Sequence, residues 1–213
     1  MSEQQLDRVK RIGVFGGTFD PPHVGHLAAA EHVRQVHHLD QVIFVPVGKP
    51  PHKASDRLTS ARHRYLMTVL ATLENPHFTV SRVEIDRRGI SYTVDTLRQL
   101  RAEFGEENEY FFLIGYDALN AFHTWREPEQ ILQMCRLIAL ARPGYSLHEL
   151  PEKLGSLYTD FRDRIIIAEM PQFDVSSREI REQIAEGASV RYRVHELVLN
   201  YIERFGLYRE ASR

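Results

Sequence analysis

Apolar residues in this chain fall into short, nearly uninterrupted runs separated by longer stretches of different periodicity. The short runs are rich in Val, Ile and Phe and lie at residues 11–15, 41–47, 78–85, 109–115, 136–141 and 164–170. Runs of this length and composition are typical of β-strands, and runs without polar alternation, such as IALA and IIIA, are typical of strands covered on both faces. The pattern therefore predicts strands buried inside a sheet.

The stretches between these runs carry apolar residues at helical spacing. They lie at residues 24–39, 60–75, 92–105 and 127–135, and two more follow at 176–187 and 194–206. Several end at Gly or Asn, as helices do. Alternating strands and helices form right-handed βαβ units. We expect an α/β fold with a Rossmann-like, doubly wound, mostly parallel sheet, in a single domain over residues 1–213 whose C-terminal helical part spans about 175–208.

The composition and net charge of the chain argue against some classes of binding partner. The length of 213 residues and the hydrophobic content of 43% are ordinary for a globular domain, and the formal net charge is -2. A nucleic-acid polymer is not expected as a partner, because proteins that follow phosphate backbones usually show a basic face. The first residues lack a signal-peptide pattern, and no apolar stretch is long enough to span a bilayer. We expect no membrane partner, a cytoplasmic location, and a buried structural thiol at Cys135.

The segment that follows the first predicted strand has the character of a phosphate site. It reads GGTFDPPHVGHL over residues 16–27. Gly16 and Gly17 let a ligand approach the backbone beyond the carboxyl end of the strand, where open α/β sheets bind ligands. His23 and His26 lie three residues apart at the start of the next helix and so share one face. Backbone donors, a helix N-terminus and two imidazoles together favour phosphate.

Two other interpretations of the histidines fit the segment less well. A metal site is disfavoured because the two histidines make an incomplete zinc set, and we therefore expect no dedicated metal ligands. A purely structural pair of helix-start histidines would suit the His-x-x-His spacing alone but not the flanking glycines and prolines. The segment also lacks the Gly-Lys-Ser/Thr of a Walker loop and the G-x-G-x-x-G dinucleotide motif.

The same segment resembles the GGxFDPxHxGH signature of the H-x-G-H nucleotidyltransferases, and within them the bacterial nicotinate mononucleotide adenylyltransferases. Further motifs follow in that family's order: PPHK (50–53), GISYTVDTL (89–97), FLIGYDAL (112–119), TW (124–125), ARPG (141–144) and VSSREIR (175–181). Each is short, but together they extend over nearly the whole chain.

The resemblance implies transfer of the AMP part of ATP to the phosphate of nicotinate mononucleotide, with release of pyrophosphate. A phosphate monoester is largely dianionic at pH 7, so no general base is required and catalysis rests on positioning and charge stabilisation. The resemblance makes His23 and His26 the catalytic pair. Thr18, Gly16 and Gly17 would contact ATP phosphates, and Mg²⁺ would arrive with the triphosphate rather than at its own protein site.

The motif VSSREIR has both a structural and a functional interpretation. Ser176 and Glu179 match a capping box, which begins helices in many proteins. The resemblance implies in addition that Ser177, Arg178 and Arg181 bind the β- and γ-phosphates of ATP. The family usually has Thr where this chain has Arg178, so the role of that position stays open.

The remaining motifs imply a mononucleotide site. His52 and Lys53, on the basic loop 46–57, would reach the phosphate, and Trp125, the only tryptophan, would stack on the pyridinium ring. Core packing is the alternative for Trp125. The family's contacts to the nicotinate carboxylate correspond to Tyr92, Thr93 and the backbone of Arg126, and the ribose contact corresponds to Asp117, which spacing alone also allows to be a simple helix-start carboxylate. A pocket of donors favours the acid over the amide.

Three other functions were considered. A pantetheine-phosphate adenylyltransferase or a cytidylyltransferase would share the first loop but not GISYTVDTL or the tryptophan. A class I tRNA synthetase would carry a K-M-S-K-S-like loop and an anticodon-binding domain. A non-catalytic nucleotide-binding protein of the same fold would not need His23, His26 and Arg181 together.

Overall fold

A single six-stranded sheet forms the centre of the protein in the computed structural model, which describes residues 8–51, 58–141, 150–170 and 174–209. Its strands are β1 (Arg11–Gly17), β2 (Gln41–Pro46), β3 (Phe78–Val80), β4 (Glu109–Gly115), β5 (Arg136–Ala141) and β6 (Ile165–Glu169). Their spatial order is β3-β2-β1-β4-β5-β6, and every neighbouring pair is parallel. The expected Rossmann-like sheet is confirmed.

The described helices connect and cover the strands. They are α1 (Val24–Val36), α2 (Ala61–Thr72), α3 (Thr93–Phe104), α4 (Tyr116–Asn120), α5 (Pro128–Met134), α6 (Leu150–Leu154), α7 (Ser156–Phe161), α8 (Ser177–Ala185) and α9 (Glu196–Phe205). The last two fall within the predicted C-terminal helical part. In the described residues, no helix is long and apolar enough to cross a bilayer.

Both faces of the sheet are buried, as the unalternating strands predicted. Along β4, Tyr110, Phe112 and Ile114 pack on one side with residues of α3 and α5, such as Leu97 and Ile131. Phe111 and Leu113 pack on the opposite side with Ala30 and Val33 of α1. A third cluster joins α2, α8 and α9, with Met67, Ile180 and Val198 among its members. The C-terminal helices are therefore anchored to α2 as well as to the site described below.

The structure shortens three predicted elements, one of which is the helix expected over 60–75, which ends at Thr72. The strand expected over 78–85 ends at Val80, because the chain then turns through 83–89 and lies against the segment that follows β2. The helix expected over 24–39 ends at Val36; the backbone N–H groups of His37, His38 and Leu39 close its end, and His38 adopts a left-handed φ of 50°. The short helices α4, α6 and α7 had no counterpart among the predicted helical stretches.

The order of the strands fixes where a ligand binds. Successive strands are added outward from the centre of the sheet: β1, β2 and β3 on one side, then β4, β5 and β6 on the other. The direction in which strands are added therefore reverses between β1 and β4. Crevices form at such a switch point beyond the carboxyl ends of the strands. Gly16 and Gly17 end β1, and Gly115 ends β4. Residues 16–27, called the phosphate loop below for the role predicted for them, therefore begin at this crevice.

Candidate active site

A cavity of about 580 Å³ occupies the crevice at the switch point. Seven of the residues singled out in the sequence line it: Gly16, Gly17, Thr18, Tyr92, Thr93, Trp125 and Arg126. Val45, Val47, Phe112 and Ile114 add apolar surface from β2, the residue after it, and β4. The cavity is large enough for a mononucleotide-sized ligand, and it connects the predicted phosphate loop with the predicted base-binding residues.

A second group of lining residues is aromatic and cationic, and it includes Tyr92, Trp125 and Arg126. We call this part of the lining the aromatic end of the cavity. Trp125 is partly buried and packs edge-on to Phe112, with ring centroids 6.1 Å apart, and tilted against Phe122 at 5.4 Å. The indole packs on the core and also lines the cavity, so its stacking on a pyridinium ring stays a prediction. The Arg126 guanidinium lies 4.8 Å above the centre of the Tyr92 ring.

The start of α3 also faces this end. Tyr92 is its N-cap residue and Thr93 its first helical residue, and both line the cavity. The first turn of a helix presents backbone N–H groups and a partial positive charge. The side chain of Arg126 adds a cation at the same rim, 52% exposed and 3.9 Å from Asp95. This end of the cavity is therefore rich in donors.

His23 and His26 lie together at the start of α1. Their rings stack with centroids 3.6 Å apart, and Nδ1 of His26 accepts a hydrogen bond from the His23 backbone N–H at 3.1 Å. That bond requires Nδ1 of His26 to be unprotonated, so a neutral His26 carries its proton on Nε2. The rings of Phe15 and Phe19 approach His26 to centroid distances of 6.1 and 5.1 Å.

The surroundings keep both imidazoles neutral. Burial lowers the pKa of His23 to about 4. The pKa of His26 is lowered well below its ordinary value of 6.5, first by burial among the phenyl rings and then by the positive charge that His23 would carry. Nearby anions favour the charged imidazolium, so a bound polyphosphate would shift both pKa values upward.

Close packing places α1 against the segment that leads into α8. A Cβ atom on Gly25 would lie 3.1 Å from Nδ1 of His23 and 3.1 Å from Cγ1 of Val175. Because Gly25 has no side chain, α1 can pack closely against the segment that leads into α8.

Two residues of α8 are bonded directly to the phosphate loop. The Ser177 hydroxyl donates to the Pro21 carbonyl oxygen at 2.8 Å, and Nη1 of Arg181 donates to the Asp20 carbonyl oxygen at 2.6 Å and to that of Ser177 at 3.2 Å. Ser176 caps the helix by accepting from the Glu179 N–H at 3.2 Å. The Ser176 half of the predicted capping box is therefore present, and the same helix start lies beside the phosphate loop.

Two predicted residues lie apart from these groups. Arg178 has an 81% exposed side chain whose Nε donates to Glu182 at 2.8 Å, one turn along α8. Asp117 is exposed in the first turn of α4, between the cavity-lining Gly115 and Ala118. Their roles in phosphate and ribose binding stay predictions. Tyr116, by contrast, is buried in the core.

His52 and Lys53 lie outside the described residues. The segment before them is described as far as Pro51, and Pro50 and Pro51 line the cavity. Within the described residues, there is no cluster of three or more His, Cys, Asp or Glu side chains arranged to hold a metal ion.

Three buried polar residues for which the motifs imply no role lie at or beside the site. Asp20 accepts from the Thr59 N–H at 3.1 Å and from the Tyr208 hydroxyl at 2.7 Å. Arg64, 1% exposed, donates to the Thr18 carbonyl oxygen at 2.8 Å. Glu84 lines the cavity, and burial raises the pKa of its carboxyl against the opposing effect of its hydrogen bonds.

One of these residues left a signal in the sequence. Arg64 lies on the buried stripe of α2 together with Met67, Thr68 and Ala71, at positions i, i+3, i+4 and i+7. A charged residue on the core-facing stripe of an amphipathic helix is unusual and indicates buried hydrogen-bond partners. Asp20 lies inside the recognised signature, but no spacing pointed to its distant partner Tyr208.

Comparison with known proteins agrees with this geometry. Residues 14–183 match the family model described as cytidylyltransferase-like. A probable nicotinate-nucleotide adenylyltransferase of Thermus thermophilus is 48% identical over 199 residues, covering 93% of this chain and 100% of that protein. The corresponding protein of Thermoanaerobacter sp. is 42% identical over 205 residues, covering 96% of this chain and 97% of that protein.

This chain belongs to the nicotinate-nucleotide adenylyltransferase family. Solved structures support the fold assignment independently: a Plasmodium falciparum nicotinic acid mononucleotide adenylyltransferase complexed with NaAD superposes with a TM-score of 0.73 at 18% identity, covering 93% of this chain and 97% of that one. The same enzyme complexed with APC gives a TM-score of 0.71 at 18% identity, with the same coverage.

The pKa of His23 predicts how stability depends on pH. Below pH 6.5 an unfolded chain protonates this residue, whereas the folded protein resists protonation down to about pH 4. The unfolded state then binds more protons, so the free energy of unfolding falls as pH drops through this window, by about 2–3 kcal/mol from His23 at pH 4.5.

We expect His23→Asn to lose correspondingly less stability than the parent protein between pH 7 and pH 4.5, measured by urea unfolding at each pH. The exposed His38→Asn serves as the matched control. An identical pH dependence in His23→Asn and parent would contradict a buried neutral His23.

Proposed function

We propose that the protein transfers the adenylyl group of ATP to the phosphate of nicotinate mononucleotide, forming deamido-NAD and pyrophosphate. The observation that carries the proposal is that Gly16, Gly17 and Thr18 line the same cavity as Tyr92, Thr93 and Trp125. His23 and His26 do not line this cavity themselves, but they follow Thr18 in the same segment, at the start of α1. Membership of the nicotinate-nucleotide adenylyltransferase family supports the same reaction.

The chemistry requires positioning rather than a general base. A phosphate oxygen of the mononucleotide attacks the α-phosphorus of ATP, a new P–O bond forms, and the bond to the β-phosphate oxygen breaks with release of pyrophosphate. The attacking phosphate is largely dianionic at pH 7, since its second pKa is near ~6. The protein's contribution is to align the two phosphates and to stabilise charge on the transferring group.

His26 is suited to that stabilisation. Because its Nδ1 accepts from the His23 backbone, its Nε2–H is the donor available to a phosphate oxygen. Approach of the triphosphate favours this contact, and the Nε2–H of the neutral ring stabilises negative charge on the α-phosphoryl oxygens by hydrogen bonding. His23, stacked on His26, contributes a second imidazole to the same oxygens.

The leaving pyrophosphate would lie at the start of α8. Ser177 and Arg181 are already fixed against the phosphate loop, and a helix N-terminus favours an anion. Mg²⁺ enters in this proposal as part of the substrate, bound mainly through ATP phosphates, as is usual for this ion. A cytoplasmic location agrees with the supply of both nucleotides and stays a prediction.

The opposite end of the cavity would select the acceptor. Trp125 offers an aromatic face to the positively charged pyridinium ring. The first turn of α3 and the Arg126 guanidinium offer donors and positive charge to the nicotinate carboxylate. A neutral amide would gain less from the cation and would leave its own NH₂ donors facing other donors.

Pyrophosphate release from Mg-ATP tests the proposal, with nicotinate mononucleotide and nicotinamide mononucleotide compared as acceptors. We expect turnover with the acid and at least tenfold lower kcat/KM with the amide, because a site built from donors penalises the amide. Phosphopantetheine in place of the mononucleotide, and CTP in place of ATP, are the controls. Release only with one of those controls would overturn the proposed substrates.

His26→Ala separates catalysis from binding. We expect kcat to fall by about 100-fold or more while the Kd for nicotinate mononucleotide stays nearly unchanged, because this contact strengthens as transfer charge develops. Steady-state assays of pyrophosphate release give kcat, and isothermal titration calorimetry gives the Kd for nicotinate mononucleotide. His32→Ala, on the same helix, is the matched control, and equal kcat in His26→Ala and parent would remove His26 from the reaction.

Arg126→Gln tests the origin of acid selectivity. Loss of the rim cation should lower the preference for nicotinate over nicotinamide mononucleotide by about tenfold, chiefly by raising KM for the acid. Arg98→Gln is a matched control, since Arg98 contacts the same Asp95 and Glu127 carboxylates but does not line the cavity. An unchanged ratio in Arg126→Gln would assign selectivity to backbone donors alone.

A further inference from the structure

The segment that follows β2 forms one wall of the cavity and is held from both sides by buried charged side chains. On one side, Nη2 of Arg64 donates to the carbonyl oxygens of Val47 at 2.7 Å and Gly48 at 3.3 Å. On the other side, Oε2 of Glu84 accepts from the Gly48 N–H at 3.4 Å. Both polar groups of Gly48 are therefore bonded to side chains that lie far away in the sequence.

Arg64 also reaches the phosphate loop. Its Nη1 donates to the Thr18 carbonyl oxygen at 2.8 Å, and its Nε donates to that of Thr59 at 2.9 Å. One planar guanidinium thus joins the loop after β1, the segment after β2 and the approach to α2. An ammonium group presents its donors from a single point and cannot span three such segments in the same way.

Glu84 makes the corresponding connection to α3. Its Oε1 accepts from the Thr96 hydroxyl at 2.7 Å, and Thr96 lies in the first turns of α3. The backbone adds a direct link, because the Ser91 N–H donates to the Lys49 carbonyl oxygen at 2.9 Å. The wall after β2 and the donor-rich start of α3 are therefore held as one unit.

Contact at Gly48 is too close for any other residue. A Cβ atom there would lie 2.1 Å from the backbone oxygen of Glu84 and 2.8 Å from its carbonyl carbon. Glycine lets the two segments touch, and the two charged side chains hold them in that contact. Loss of either charge would relax the wall rather than merely remove a surface contact.

We propose that Arg64 and Glu84 are positioning residues that together fix the Val47–Gly48 segment between the phosphate loop and α3, and so set the geometry of the nucleotide cavity. The kinetic arm of this inference rests on the proposed function. Neither side chain needs to touch the reacting phosphates: Arg64 acts through Thr18, Val47 and Gly48, and Glu84 acts through Gly48 and Thr96.

Different contacts predict different kinetic effects. Glu84→Gln keeps the shape but cannot accept both hydrogen bonds through oxygen, so KM for the mononucleotide should rise about tenfold while KM for Mg-ATP changes less than about twofold. Arg64→Lys also loosens Thr18, so kcat should fall as well, and kcat/KM should drop on the order of 100-fold. General destabilisation would instead affect both substrates alike.

A double variant tests whether the two residues act on the same segment. The combined loss in kcat/KM should be at least about fivefold smaller than the product of the single losses, because either change alone already frees Gly48. Arg101→Lys is the matched control, since Arg101 donates to the carbonyl oxygens of Met134 and Glu106 and does not line the cavity. Multiplicative losses would overturn the proposal.

Hydrogen exchange gives a readout independent of the reaction. In Glu84→Gln the Gly48 amide should exchange about tenfold faster than in the parent, while core amides such as that of Phe112 keep their protection. Unchanged exchange at Gly48 would overturn the proposal, even if Arg64→Lys fails to fold. If Gly48 exchanges faster in Glu84→Gln but the parent protein shows no turnover with nicotinate mononucleotide, the proposed substrate is refuted and the positioning role stays intact.

Discussion

The buried carboxylate of Asp20 is the contact on which the site depends. Its two oxygens accept from the Thr59 backbone and the Tyr208 hydroxyl, and its own carbonyl accepts from Arg181. Four parts of the chain therefore meet at one residue: the phosphate loop, the approach to α2, helix α8 and the segment after α9. Burial and the neighbouring carboxylate raise the pKa of Tyr208, which keeps its hydroxyl protonated as a donor.

The buried positive charge of Arg64 is balanced by one group and hydrogen-bonded to others. Burial lowers the pKa of the Arg64 guanidinium, while the negative charge of Asp20 acts in the opposite direction. Its hydrogen bonds, however, go to backbone carbonyls rather than to a carboxylate. The charge is thus compensated at a distance while the donors are used to shape the loops. Such an arrangement orders backbone at the point where ligands approach.

Sequence alone predicted the parts of the fold that follow from local chemistry. Apolar runs located all six strands, and the glycines, prolines and histidines of residues 16–27 located the phosphate loop, because these residue types constrain the backbone wherever they occur. The partners of Asp20, Arg64 and Glu84 could not be predicted, since each contact joins segments that only the folded sheet brings together. Arg178 shows the converse limit: its motif position suggested a ligand contact, but a glutamate one turn away provides a competing partner.

The bond between Tyr208 and Asp20 also has a consequence for biosynthesis. It joins residues 188 positions apart, and the Tyr208 residue sits in a left-handed turn just after the last helix. Because a nascent chain emerges from its N-terminal end, the sheet strands and the histidine pair are made long before this partner exists. The phosphate loop therefore reaches its final set of contacts only after Tyr208 has been synthesised. An incomplete chain would hold the signature motif without the tyrosine that secures it.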